Sequence, residues 1–409
     1  IPTIEGFYLN RNDDWGYLLF STNKDTMIIK KMLGGEIKKK SKPEIIEAVF
    51  ATTSLYKSIK SAITFSTENQ LWSVNLNKTI QTSPFYLANK IFGGFKNGSI
   101  ICLAGSGKEK WRYSTNGKIY SSPLIENDLL VAATVEGDVL TLNANNGNPV
   151  QVIGIGESIT SDIAFVDFEE SGANRKAIVL GTVYGNLYCY DLFTLEPAWT
   201  TQITNEWINS SIVYSNKKIF FQDKEGTVYC LSSKNGLLIW KISAAPGGWK
   251  TSSSNSDLNF KPDMVVKNNN LYLIDVTGNL FCIDALLGTN KWDIKNINYT
   301  GLIRLKEKNE LLLSTAKNKI VTVSTKLGKV TSEIEFPADT KSAEITDLQV
   351  IGGNILIGFS DGWVYRVKPK QKPEKFFRGG SAPIVSILEI SGKCLVTDYD
   401  GNFTLLNIK

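Results

Sequence analysis

The sequence predicts an all-β protein: an eight-bladed β-propeller of four-stranded antiparallel blades, with a small irregular N-terminal segment. Two observations predict this fold. A tight-turn residue recurs at intervals of roughly 40 to 50 residues, the length of one four-stranded blade. A tryptophan also recurs at one fixed position of the same repeat. The turn residues are Gly98, Gly137, Gly185, Gly226, Gly278, Asn318, Gly362 and Gly401.

Each of these turns lies between two short runs of strand-forming residues, as in a β-hairpin. A second turn follows and leads into a strand that contains the tryptophan. Because one twisted sheet cannot bury both of its faces, consecutive blades must stack around an axis. We therefore expect the repeated tryptophans to pack between blades on equivalent outer strands. They are Trp72, Trp111, Trp199, Trp240 and Trp292.

The last repeat ends at Lys409, after the strand-like run 402–408, and lacks its tryptophan strand. Residues 70–76 match this missing strand and contain Trp72. We therefore expect a ring of residues 67–409 that is closed by the 70–76 strand and has no free edge.

Residues 1–66 are expected to lie outside the ring, either as the end of another domain or as two irregular extra blades. Within this segment, Trp15 to Ser21 and Thr26 to Met32 indicate a hairpin. Residues 43–50 indicate a helix, because Pro43 stands near its start and apolar residues recur four positions apart.

One repeat resembles the tryptophan-docking motif of PQQ-like propellers. It spans residues 281–292, and its Asp284, Gly288 and Trp292 stand at the offsets of that motif. The resemblance covers roughly residues 67 to 409, and residues 140–147 form a weaker copy without tryptophan. WD40 propellers are disfavoured, because their structural tetrad uses histidine and this chain has no histidine.

The composition excludes several classes of chemistry. The lack of histidine removes Ser-His-Asp and Cys-His catalysis and histidine-ligated zinc or haem. A net charge of +5 over 409 residues is weak support for a polyanionic partner, so no nucleic-acid binding is expected. No run approaches 18 consecutive apolar residues, so no direct membrane span is expected either.

Two features resemble metal or disulfide sites. Cys102, Cys189, Cys230 and Cys282 occupy one slot of the repeat, which places them in different blades, too far apart for bonding. We interpret them as buried apolar side chains. The run 398–402 resembles the start of a calcium loop, but the preceding blade has an ordinary hairpin turn there. The sequence therefore predicts no metal site.

The resemblance to PQQ-like propellers raises the question of catalysis, because many of them are quinoprotein dehydrogenases. Those enzymes use adjacent cysteines, a calcium set and often Cys-x-x-Cys-His. This chain has no adjacent cysteines and no Cys-x-x-Cys-His. We therefore predict that it is not an enzyme, with no catalytic residues and no cofactor, since a fold alone does not carry a reaction.

Among non-catalytic propellers the chain most resembles the BamB family, which also has eight blades and a closing strand from near the N-terminus. This resemblance implies a monomeric scaffold that binds protein partners in a bacterial cell-envelope complex. It also implies a periplasmic or extracellular location, with a lipid anchor as one option in the full-length protein. A PQQ-dependent dehydrogenase and a ligand-sensing receptor ectodomain are the alternatives.

The candidate partner-binding residues are Trp207, Trp249, Ile80 and Ile119. Each stands three residues before a serine that opens a blade, so we align the four positions with one another. Equivalent positions in a ring lie on one face, and exposed aromatic residues on a rigid rim are typical of interface hot spots. The alternative is that both tryptophans fill the channel or pack against a neighbouring blade.

Overall fold

The computed structural model describes residues 68–170, 173–243, 264–275, 278–295, 299–307, 309–337, 340 and 343–408, together with four strands in the first 51 residues. The chain divides into two compact units, Ile1–Phe65 and Ser66–Lys409. Within the first unit the four strands form one antiparallel sheet in chain order. They are β1 (Gly6–Arg11), β2 (Asp14–Asn23), β3 (Thr26–Gly34) and β4 (Ile45–Ala51).

The hairpin expected near residues 15–32 is confirmed as β2 and β3, which pair in antiparallel register. The helix expected over 43–50 is wrong, because Ile45–Ala51 forms β4. Met27 pairs with Phe50 and Met32 with Ile45 along β3 and β4. Isoleucine, valine and phenylalanine favour a pleated sheet, and here sheet pairing outweighs the helical spacing.

The second unit is an eight-bladed propeller, as the repeat predicts, and each blade is a four-stranded antiparallel sheet. The strands of blades 1 to 4 follow in chain order. They are β6 (Phe85–Leu87), β7 (Lys90–Gly94), β8 (Ser99–Ala104) and β9 (Glu109–Ser114); β10 (Leu124–Glu126), β11 (Leu129–Ala133), β12 (Asp138–Asn143) and β13 (Pro149–Gly154); β14 (Ala164–Glu170), β15 (Ala173–Gly181), β16 (Asn186–Asp191) and β17 (Pro197–Gln202); β18 (Val213–Ser215), β19 (Lys218–Gln222), β20 (Thr227–Ser232) and β21 (Leu238–Ser243).

Blades 5 to 8 repeat this pattern, except that the fourth strand of blade 8 comes from the start of the unit. The strands are β22 (Met264–Lys267), β23 (Asn270–Ile274), β24 (Leu280–Asp284) and β25 (Asn290–Ile294); β26 (Tyr299–Glu307), β27 (Glu310–Thr315), β28 (Lys319–Ser324) and β29 (Lys329–Glu335); β30 (Ile345–Ile351), β31 (Asn354–Phe359), β32 (Trp363–Val367) and β33 (Glu374–Arg378); β34 (Ile384–Ile390), β35 (Lys393–Asp398), β36 (Asn402–Leu406) and β5 (Gln70–Asn75). β5 pairs with β36, Trp72 opposite Leu405.

The strand order of each blade defines the two faces of the ring. The first strands of adjacent blades contact one another, so they surround the central axis. The turns between second and third strands, and the connections from one blade to the next, lie on one face, which we call the connection face. The turns between first and second and between third and fourth strands lie on the opposite face, which we call the hairpin face.

The core lies between blades. In most blades the second and third strands are almost completely buried, while the fourth strands alternate between partly buried and exposed residues. One cluster joins Ile100 of blade 1 to Leu130 of blade 2. Another joins Ile101 of blade 1 to Leu395 and Phe403 of blade 8, so the junction of the chain ends is packed like the other blade interfaces.

The repeated tryptophans link neighbouring blades through one recurring contact. In each case the indole Nε1–H donates to a backbone carbonyl in the turn between the third and fourth strands of the next blade, at 3.0–3.3 Å. Each indole also lies against a positive-φ glycine of that turn, where a Cβ would come within 2.5–2.8 Å of the ring. The pairs are Trp72 with Gly107, Trp111 with Gly147, Trp199 with Gly236, Trp240 with Gly288 and Trp292 with Gly328.

Candidate functional site: the connection between blades 3 and 4

The connection between blades 3 and 4 is fixed to the turns of both blades by backbone hydrogen bonds. On the blade 3 side, the amide of Ile203 donates to Gly185 O and the amide of Ile208 to Thr182 O, each at 3.1 Å. On the blade 4 side, the amide of Lys224 donates to Trp207 O at 2.8 Å. This segment is therefore held at its start and near its middle, on either side of the Trp207 side chain.

Side chains add a second set of bonds to the same segment. The Thr204 hydroxyl donates to Asp223 Oδ2 at 3.1 Å, and the Tyr229 hydroxyl donates to the same oxygen at 2.8 Å. The Thr204 oxygen also accepts a hydrogen bond from the amide of Glu206 at 3.1 Å. Burial raises the pKa of the Tyr229 hydroxyl, and its bond to Asp223 acts in the same direction, so the phenol stays protonated as a donor.

Trp207 projects from this anchored segment with 47% of its surface exposed. The ammonium of Lys224 lies 4.7 Å from the centre of its ring, a cation–π distance. Such a contact contributes about 0.5–1 kcal/mol at an exposed site, enough to favour one orientation of the ring. The connection face therefore presents a large aromatic side chain on a rigid support.

Tyr184 is a second exposed aromatic residue on this face, in the turn between β15 and β16. The connection that contains Trp207 bonds to the same turn through Gly185. Tyr184 was not among the residues predicted from the sequence. The available signal was its position directly before the turn glycine, where other blades have Asn97, Glu136 or Glu225.

The structure corrects two of the predicted partner-binding residues, Ile80 and Ile119. Both are completely buried, so the expectation that they form an exposed rim with Trp207 is wrong. Ile119 forms a β-bridge with Thr134. Its side chain packs so closely on blade 1 that a Cβ at Gly94 would lie 2.7 Å from it.

The error arises from a one-residue shift in the alignment of the blade starts. Thr82 and Ser121 bond through their hydroxyls to the ends of the second strands of their blades, and Ser210 does the same in blade 4. Ser210 therefore corresponds to Thr82 and Ser121, not to Ser83 and Ser122. Because neighbouring residues of an extended segment point in opposite directions, a shift of one exchanges buried and exposed positions.

With the corrected alignment, Trp207 corresponds to Thr79 and Lys118. The carbonyls of these two residues accept hydrogen bonds from Lys96 and Val135, as the Trp207 carbonyl does from Lys224. The buried counterpart of Ile80 and Ile119 is Ile208, which is also completely buried. Trp249, the fourth predicted residue, lies outside the described residues.

Glu157 accepts hydrogen bonds from three side chains on the connection face of blade 3. Its carboxylate binds the Thr182 hydroxyl at 2.6 Å, the Asn186 amide at 2.9 Å and the Tyr188 hydroxyl at 2.9 Å. Burial of the carboxylate opposes ionisation, but these bonds favour the charged form, and the net effect lowers the pKa of Glu157. Burial and this carboxylate together raise the pKa of Tyr188 to about 12.

The calcium-like run 398–402 is a hairpin turn. Asp398 accepts hydrogen bonds from the backbone amide of Asn402 at 3.0 Å and from its side-chain amide at 2.7 Å. Asp275 and Asn279 make the same pair of bonds in blade 5. The aspartate is therefore a repeated turn residue. Within the described part of the chain, no group of three or more acidic or cysteine side chains is arranged to hold a metal ion.

The five cysteines are free and buried, as expected for those of the shared slot. Cys102, Cys189, Cys230 and Cys282 each pair across the sheet with one of the docking tryptophans. Burial raises the pKa of Cys189 and Cys230 to about 12 and that of Cys102 and Cys282 to about 11. Among the described residues, no helix is long and apolar enough to cross a membrane.

Comparison with known proteins decides the family. The family model described as outer membrane protein assembly factor BamB matches residues 57–150, 167–295 and 209–372, well over half of the chain. The chain belongs to the BamB family. A curated relative, the outer membrane protein assembly factor BamB of Burkholderia pseudomallei (strain K96243), is 24% identical over 143 residues. That match spans 34% of this chain and 36% of the relative, about a third of its length.

Solved structures of a BamB protein and of other proteins show the same fold. BamB from Moraxella catarrhalis aligns with a TM-score of 0.66 and 16% identity, over 83% of this chain and 99% of that one. The computationally designed Ika8 protein aligns with a TM-score of 0.69 and 14% identity, over 83% of this chain and 100% of that one. Sqt1 of Saccharomyces cerevisiae aligns with a TM-score of 0.65 and 12% identity, over 83% of this chain and 99% of that one. At these identities the likeness concerns the fold alone.

Proposed function

We propose that this protein is a non-catalytic scaffold that binds a protein partner in a cell-envelope assembly complex, at the outer membrane of its bacterium. Membership of the BamB family supports this role, since the matching family and the curated relative are named as outer membrane assembly factors. The location that follows is the periplasmic side of the envelope.

The exposed indole of Trp207 is the observation that carries the proposal. It is held by backbone bonds to two blades and by the ammonium of Lys224. An aromatic side chain fixed in this way loses little conformational freedom when a partner covers it, which is what an interface hot spot requires. Tyr184 extends the exposed aromatic surface toward blade 3.

The charges around Trp207 suggest the chemistry of the partner. Lys224 and Glu225 occupy the adjoining turn, and Glu206 precedes the tryptophan. A surface with an apolar centre and charges of both signs at its edge is typical of protein interfaces. We infer that the partner contributes an apolar side chain that packs on the indole, with charged groups at the rim.

The test places a photo-crosslinking amino acid at position 207 in cells of the source bacterium, with position 193 as the control. Phe193 is matched in exposure, 48% against 47%, but lies on the hairpin face. We expect a discrete crosslinked envelope protein from position 207 and not from position 193. The same product from both positions, or none from position 207, would contradict the assignment of the connection face.

A further inference from the structure

The hairpin face of blades 3 to 6 has exposed apolar side chains at the tips of its turns. Each lies in the turn between the third and fourth strands of its blade, and Leu287, with 71% of its surface exposed, is the most exposed of them. We call this set the turn arc. It consists of Phe193 in blade 3, Leu237 in blade 4, Leu286 and Leu287 in blade 5, and Leu327 in blade 6.

These turns are rigid supports. Asp284 Oδ1 accepts hydrogen bonds from the amides of Leu286 at 2.8 Å and Leu287 at 3.0 Å. Asp191 Oδ1 accepts one from the amide of Phe193 at 2.8 Å. The docking tryptophans of the preceding blades hold the turns of blades 4 to 6 from beneath.

The turn arc covers half of the ring. In blades 1, 2 and 7 the corresponding turns have polar residues at their tips: Ser106, Asn145, Asn146 and Gln371. The turn geometry itself does not need a large apolar residue, because these polar turns connect the same pair of strands. The exposed leucines of blades 4 to 6 therefore need an explanation other than folding.

Basic residues accompany the turn arc. Lys234 and Lys326 are exposed in the turns of blades 4 and 6, Lys329 follows in β29, and Lys217 is exposed in the first turn of blade 4. Within the four turns of the arc, all of which the structure describes, Glu196 is the one exposed acidic residue. The other acidic side chains there are Asp191, which is buried, and Asp284, which pairs with Lys291 at 2.9 Å.

The connection face has charges of both signs in its turns between second and third strands. Lys96, Lys224 and Lys317 lie in these turns together with Glu136, Glu225, Asp361 and Asp400. The turn arc differs from these turns in its exposed leucines and in having more exposed lysines than exposed acidic residues.

We propose that the turn arc docks on the surface of a lipid bilayer that contains anionic lipids. Turn tips arranged around a ring can all touch one plane, which is the geometry that a bilayer surface offers. Apolar side chains that enter the boundary between headgroups and acyl chains, flanked by lysines that attract anionic headgroups, are the two components of interfacial membrane binding. This inference goes beyond the proposed scaffold function, because it assigns the opposite face and leaves Trp207 open to a partner.

The test measures co-sedimentation of the full chain with vesicles of phosphatidylethanolamine and phosphatidylglycerol, and with vesicles of phosphatidylcholine alone. We expect binding to the first at low salt and little binding to the second. The triple variant Leu237→Ser, Leu287→Ser, Leu327→Ser should bind anionic vesicles at least tenfold more weakly. It should melt at the wild-type temperature, because all three side chains are exposed.

Two control variants distinguish binding through the turn arc from nonspecific attraction of a basic protein to anionic vesicles. Lys326→Glu should weaken binding several-fold, whereas Lys317→Glu, an exposed lysine on the connection face of the same blade, should have a much smaller effect. Trp207→Ala should leave vesicle binding unchanged, so failure of the scaffold proposal and failure of this one remain distinguishable.

Three outcomes would overturn the proposal. The first is failure of the wild-type protein to bind anionic vesicles at low salt. The second is a triple serine variant that binds these vesicles as well as wild type. Self-association of the free protein that the serine substitutions abolish, without vesicle binding, would assign the turn arc to a second copy of the chain.

Discussion

Trp72 donates its indole N–H to the carbonyl of Gly105 at 3.0 Å, and this bond joins blade 8 to blade 1. Trp72 belongs to β5, the first strand of the propeller in sequence, which completes the last blade. The junction thus uses the same tryptophan contact as four other blade interfaces. The interface between blades 3 and 4 contains the same contact, between Trp199 and the turn of Gly236.

Gly236→Ala should destabilise the protein more than Gly392→Ala. Both glycines have positive φ, +67° and +74°, so each alanine is strained by roughly 1–2 kcal/mol. At Gly236 the new Cβ would also lie 2.6 Å from the Trp199 ring, while at Gly392 nothing lies within 4 Å. Overpacking adds typically 1–3 kcal/mol. Urea unfolding of both variants measures the difference, and equal midpoints would refute the role of the tryptophan contact.

Glu157→Gln should lower stability at neutral pH and have less effect in acid. The hydrogen bonds of Glu157 lower its folded-state pKa below the ordinary value of 4.5. A carboxyl with a lowered pKa stabilises the fold above its unfolded-state pKa, and this contribution is lost as the pH falls through the folded-state value. Unfolding curves at pH 7 and pH 3 test this, with the exposed Glu225→Gln as the control. A Glu157→Gln effect that does not shrink in acid would contradict the prediction.

The cysteine thiols should resist modification in the folded protein. All five side chains are completely buried, and burial raises the pKa of Cys189 and Cys230 to about 12, so almost no thiolate forms at pH 8. We expect a thiol-reactive chromogenic disulfide to react with none of them until denaturant is added, and then with all five. Rapid reaction of even one thiol under native conditions would show that its blade interface opens.

The protein should bind no PQQ, with or without calcium, and should not reduce a dye in the presence of alcohols or aldose sugars. The reason is the chain's lack of histidine and of adjacent cysteines. Calorimetric titration with PQQ and calcium measures the binding. Saturable calcium-dependent binding would favour the dehydrogenase alternative.

The positions of the hairpin turns could be predicted from the sequence because backbone geometry requires particular residues there. Gly98, Gly185 and Gly401 have φ of +80°, +74° and +79°, values that other residues rarely adopt. Blade number and strand order follow from the spacing of these turns. The helix expected over 43–50 failed because local apolar spacing does not reveal which strand lies alongside.

The turn glycine on which each tryptophan packs was harder to predict, although the sequence shows that the tryptophan and the glycine are replaced together. Gln151 replaces the tryptophan in blade 2, and in blade 3 Leu195 replaces the glycine of the turn. Leu195 is buried in the cluster between these two blades, despite a φ of +49° that leucine rarely adopts. The two substitutions occur together because the glycine is needed where an indole covers the turn.

The candidate site could be predicted in part. Trp207 was found because tryptophan is unusual before a blade start. Ile80 and Ile119 were wrongly grouped with it, because Thr82 and Ser83 are adjacent hydroxyl residues and the sequence does not show which one bonds to the second strand. The exposed turn arc was missed, because leucine in a repeat is normally a core residue.

The most direct test of the scaffold account is the affinity of the purified protein for the envelope partner identified by crosslinking, measured for wild type, Trp207→Ala and Phe193→Ala. A hot spot costs about 2 kcal/mol or more when truncated, which is roughly 30-fold in affinity. We predict at least a tenfold loss for Trp207→Ala, an unchanged melting temperature and a Phe193→Ala affinity within twofold of wild type. Equal affinity of all three proteins would contradict the account.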